Sequence, residues 1–193
     1  KINAVAPLGP NPKTGKWDWR VTIDVDSARM TEAAAKALPK EAFVGKPYPL
    51  RNVKGRVHAV HGRVWVDQDN PLRTKGQGDM RCAIYGQLKW MPKGMGVDVY
   101  VKADDVPIDQ ALIDSMNQAG RDAMGLLSPS GLVERLSLEI HDSPEEKFDF
   151  SITAGLKGVG ITYKGFPYSV TDLQGDVTVQ PEVVTLKALT GRH

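Results

Sequence analysis

The 193-residue sequence predicts a mainly β protein built as an antiparallel sheet, with one longer and one short α-helix. Three observations carry that class. Apolar and polar residues alternate with period 2 in segment after segment, the pattern of strands with one dry and one wet face. The 19 glycines and 13 prolines exceed the usual ~12% combined share, so the chain turns often. An internal match at an offset of 120 residues places Gly45, Pro47, Tyr48, Gly55, Val57 and Val64 on Gly165, Pro167, Tyr168, Gly175, Val177 and Val184 without a gap. Similar hairpins added end to end make an elongated sheet.

Trp17, Trp19, Val21, Ile23 and Val25 alternate with charged residues and threonine, which predicts the first strand. Thr31 as N-cap, the alanine-rich run to Leu38 and the stop at Pro39 predict the short helix. Strands are expected over 55–60, 64–66 and 79–88, then at Val97–Val101. The longer helix is expected over 107–126, its stripe formed by Ala111, Leu112, Met116, Ala119 and Ala123, with Gly120 as the place for a break. Strands at Leu136–Ile140, Phe148–Ile152, 158–163, Val177–Val179 and 183–186 complete the order.

With 25 basic against 23 acidic residues and 41% hydrophobic ones, the chain is neither disordered nor a polybasic nucleic-acid binder. No run reaches the ~20 apolar residues that cross a bilayer. A start at Lys1 and a stop at Thr190-Gly-Arg-His193 suggest one β-rich segment, 1–193, of a longer chain, with candidate repeat units 17–96 and 97–193.

The constellations that could carry chemistry each have a plainer reading. His58 and His61 are three apart in a strand-and-turn context with no third ligand in spacing, so they read as solvent-facing hairpin histidines and no metal is expected. Asp24 with Asp26, and Asp104 with Asp105, read as charge on a wet face. His141-Asp142-Ser143 has triad residue types, but consecutive residues cannot line up nucleophile, base and orienter, and it reads as a turn before Pro144. Gly76-Gln-Gly78, Gly94-Met-Gly96 and the glycines of 155–160 read as turn glycines rather than a phosphate cradle. Cys82 reads as a buried, inert thiol, and Trp17, Trp19, Trp65 and Trp90 lack the basic surplus of a base-stacking surface. Neither catalysis nor a cofactor is expected.

What remains is more alternating apolar strand than two helices can cover. Either the sheet seals against itself or its dry face meets something else. Pattern alone leans to a sealed sandwich or curved sheet over an open groove.

The segment Val101-Lys-Ala-Asp-Asp-Val-Pro-Ile-Asp-Gln-Ala-Leu112, a helix, Leu127-Ser-Pro-Ser-Gly131 and an alternating strand resemble the AsmA-like proteins, which include the TamB-type factors. Gly160-Ile-Thr-Tyr-Lys-Gly-Phe-Pro-Tyr-Ser-Val-Thr-Asp-Leu-Gln-Gly175 and the tail from Leu189 extend the resemblance over 97–193, and it covers 17–66 more loosely. The order of these motifs is what is specific. The resemblance implies a curved, taco-shaped β-groove in a periplasmic envelope protein, anchored to the inner membrane by a segment not in this sequence. It implies phospholipid transport between membranes or outer-membrane assembly, with no catalytic residues. Phospholipid acyl chains and neighbouring segments of the same chain would be the partners. On that footing Val97, Val99, Val101, Leu136, Leu138, Ile140, Phe148, Phe150, Ile152, Val177 and Val179 are the candidate lipid-groove residues. A structural or adhesive β-sandwich module binding protein partners is the alternative.

Overall fold

The computed structural model describes residues 2–5, 20–28, 46, 48–76, 78–165 and 168–193. They form one mainly β architecture. The strands are β1 (Ile2–Val5), β2 (Arg20–Ala28), β3 (Arg51–Val60), β4 (Arg63–Val66), β5 (Leu72–Lys75), β6 (Arg81–Met91) and β7 (Gly94–Pro107). After the helices α1 (Gln110–Ser115) and α2 (Gln118–Leu127) come β8 (Leu132–Ser143), β9 (Glu146–Thr162), β10 (Ser169–Val179) and β11 (Val184–Arg192). All eleven strands belong to one antiparallel sheet in the order β1-β2-β3-β4-β6-β7-β8-β9-β10-β11, with β5 continuing the line of β4 between β3 and β6. Among the described residues there is no second sheet to make a sandwich.

Most sequence-predicted strands appear, usually longer than alternation alone suggested. The expected strands at 148–152 and 158–163 are a single 17-residue strand, β9. Its glycines are therefore not turn residues: Gly155 is buried against Arg135 and Asp176, and Gly158, at φ 68, accompanies a register shift against β10. Leu72–Lys75 is a strand that the alternation did not reveal. The short helix expected at 31–38 lies outside the described residues.

The longer helix is two helices. Asp109 caps α1 by accepting from Leu112 N at 2.8 Å, and Asn117 caps α2 by accepting from Gly120 N at 2.8 Å. An Asn that satisfies a free N–H as an N-cap is worth more there than inside a helix, so the stripe breaks at Met116–Asn117 rather than at Gly120. Ser128 ends α2 in a left-handed conformation, with Pro129 behind it.

The 120-residue offset has a backbone counterpart. Asn52 and Asp172 have φ of 54° and 51°, and Gly55 and Gly175 have φ of 149° and 129°. Each pair frames a shift in register: Arg51↔Lys75 and Lys54↔Arg73 in one hairpin, Thr171↔Arg192 and Gln174↔Thr190 in the other. Glycine is required at both. A Cβ on Gly55 would lie 2.9 Å from Leu72 Cδ2, and one on Gly175 would lie 2.7 Å from Ala188 O.

The core gathers at one end of the sheet. Met80, Cys82, Ala103, Val106 and Val133 are buried there, with Tyr48, Leu50, Ile108 and Leu112 packed over them. Thr74, the buried polar residue beside them, donates from Oγ1 to Arg51 O at 2.6 Å.

Candidate functional site: an apolar face on an open sheet

Cross-strand partners in an antiparallel ladder point to the same face, so the registers show what each face presents. One row runs Leu72–Ile84–Val101–Leu138–Ile152–Val179–Val184, aliphatic at all seven strands. Beside it lies Thr74–Cys82–Ala103–Leu136–Ala154–Val177–Leu186. On the other side runs Val66–Gly86–Val99–Ile140–Phe150. A fourth row, Val21–Ala59–Val64–Leu88–Val97–Asp142, admits charge only at its last strand.

The eleven sequence-predicted groove residues all fall on this face. Phe148 belongs two residues from Phe150, and the two rings lie 5.9 Å apart. Their environments differ. Val97 is buried at 5% exposure, whereas Val99, Val101, Leu136, Leu138, Ile140, Phe150, Ile152, Val177 and Val179 are half-buried and Phe148 is 40% exposed. The alternation could not separate these, because cover comes from other elements. Sequence reasoning also missed the contributions of β4, β5 and β6 to the same rows, although Val64, Ile84 and Leu88 carry the same alternation.

The opposite face is polar and cross-linked. Gln87 Nε2 donates to Asp98 Oδ2 at 2.6 Å, and Asp98 Oδ1 lies 3.0 Å from His141 Nδ1. Burial pulls the Asp98 carboxyl upward, but hydrogen bonds from His141 and Gln87 and the nearby His141 and Lys89 charges outweigh it, leaving it below the usual carboxylate range. Tyr85 and Tyr100 stack at 5.0 Å, with the His141 ring edge-on to Tyr100. His58 stacks on Trp65 at 5.1 Å and its Nε2 lies 3.1 Å from Asp67, so it is not the solvent-facing histidine the spacing suggested. His61 is exposed in the turn. His141, Asp142 and Ser143 are the end of β8 rather than a turn, which begins at Pro144. Asp24 and Asp26 pair with Arg56 and Lys54, as wet-face carboxylates do.

Cys82 is buried, and burial pushes its thiol up to about 11, which keeps it protonated and unreactive. Among the described residues no group of three or more His, Cys, Asp or Glu side chains is placed to hold a metal ion. Nor, among them, is any helix long and apolar enough to cross a membrane. No protein-family model, curated protein or solved structure matches the chain.

Proposed function

We propose that the apolar face holds phospholipid acyl chains, and that the chain is a β-groove segment of an AsmA-like envelope protein. Its role would be phospholipid transport between membranes or outer-membrane assembly, in the periplasm and without catalysis. The observation that carries this reading is the seven-strand aliphatic row, flanked by further apolar rows and half-buried rather than sealed over most of its length. Its six strand spacings of ~4.8 Å span about 29 Å, close to two acyl chains end to end in a hydrocarbon core of ~30 Å. Lifting a lipid into water costs about 0.8 kcal/mol per methylene. A continuous apolar face removes most of that cost, so passage from bilayer to protein is close to neutral, as shuttling in either direction requires.

Organic extraction of the purified chain followed by lipid mass spectrometry tests the proposal. Co-purified phospholipid near stoichiometry is expected, and an empty protein, in this chain and in its longer parent, would overturn it.

One observation favours the second reading, a structural module that binds protein. Among the described residues β11 pairs only with β10, and it leaves Val184 and Leu186 63% and 58% exposed. An edge of this kind takes a further strand, from a neighbouring segment of the same chain or from a partner protein.

A further inference from the structure

The end of the sheet opposite the helices is made of hairpin tips, and one of them differs from its neighbours. At the tip joining β6 to β7, Trp90 is 56% exposed, next to Met91 and across from Met95. Arg63 on β4 stands directly opposite Lys89 on β6, and Lys93 occupies the turn. Like charges directly across a ladder repel. No carboxylate among the described residues forms an ion pair with Arg63, Lys89 or Lys93; Arg63 instead lies over the Trp65 ring at 4.9 Å. Asp98, which feels the Lys89 charge, is already bonded to His141 and Gln87. The adjacent tip is arranged differently, its Lys147 facing Glu182 at 3.3 Å.

A tip that carries cations without ion pairs, Arg63 and Lys89, on one face of the sheet and an exposed indole, Trp90, on the other adds little to the fold. It suits a surface that is anionic outside and apolar just beneath, where the indole settles at headgroup depth and the long cationic side chains reach the phosphates. We propose that this tip docks the protein on a bilayer carrying anionic phospholipid headgroups, and so sets one end of the apolar face against the membrane. This deepens the lipid-groove reading and rests on it for its purpose, but not for its test.

Sedimentation of the chain with phosphatidylcholine vesicles, with and without phosphatidylglycerol, tests it. Binding is expected to the anionic vesicles alone and to be released by salt. Replacing both Lys89 and Lys93 by alanine should weaken partition roughly 25-fold, at about 1 kcal/mol per cation near the surface. Trp90→Ala should weaken it about tenfold, while Lys147→Ala leaves it unchanged. Equal binding to both vesicle types, variants that bind like the parent, or displacement by inorganic phosphate at matched ionic strength would each overturn the proposal. Co-purified lipid is the independent readout. Vesicle binding by a lipid-free protein would sink the groove and keep the tip; a lipid-loaded protein that ignores vesicles would do the reverse.

Discussion

The two ends of the apolar face carry the same kinds of side chain and meet different surroundings. Under α1, Ala103 and Val106 are 3% and 1% exposed, because Ile108 and Leu112 close over them together with Tyr48 and Leu50. Toward the hairpin tips the same strands continue into Val99, Ile140 and Phe150, half-buried, and on to Phe148, which is exposed. Alternation decides which way a side chain points; what covers it is decided by residues far away in sequence. The covered end packs into the core, whereas toward the tips the same face is half-buried or exposed, apart from Val97 at 5% exposure.

That contrast can be broken most severely at the covered end. Val106→Asp should cost about 4 kcal/mol or more in urea unfolding, because a buried carboxylate there has no partner. Gly175→Ala should cost roughly 2–3 kcal/mol and Gly55→Ala a similar amount, since each forces a left-handed φ and a close contact on alanine. Equal losses would show that the two hairpins 120 residues apart share one geometric need. At the open end, Phe150→Ser should cost only about 1 kcal/mol by the same measurement. It should nonetheless lower the lipid recovered by extraction, a split that no covered-end variant would give.

The smallest expected effect lies on the polar face. A carboxyl held below its unfolded value stabilises the fold above that value, about 3.9, and loses this contribution as pH falls through its folded pKa. Asp98→Asn should therefore lower stability on the neutral plateau, leave it unchanged below the folded pKa and so flatten the acid limb, which pH-resolved denaturation curves would record.

Where the sequence revealed a strand, the direction of its faces was legible, and all eleven groove candidates fall on one face, since side-chain alternation is a local property. Three things were not. β5 has only Leu72 and Thr74 turned inward, too few for a pattern to register. β9 contains Gly155, Gly158 and Gly160, which look like turn residues until their close neighbours, such as Arg135 beside Gly155 and Ser130 beside Gly160, are in place. Asn117 breaks the long helix through a capping bond whose advantage depends on where the helices lie. At the candidate site, openness itself was hidden, because it depends on which parts of the chain lie over which.

Cys82 gives the covered end a consequence of its own. Reaction with a thiol reagent requires a thiolate, and this sulfur is both shielded by its neighbours and held protonated to about pH 11. Its modification rate is therefore a clock for opening of the core cluster around it, over which Tyr48, Leu50, Ile108 and Leu112 pack, and under fast reclosing it reports the free energy of that excursion. With one cysteine in the chain, the signal is unambiguous in origin. A ligand that stays on the part of the face nearer the hairpin tips would leave the clock running at the same rate, whereas one that packs against this cluster would slow it.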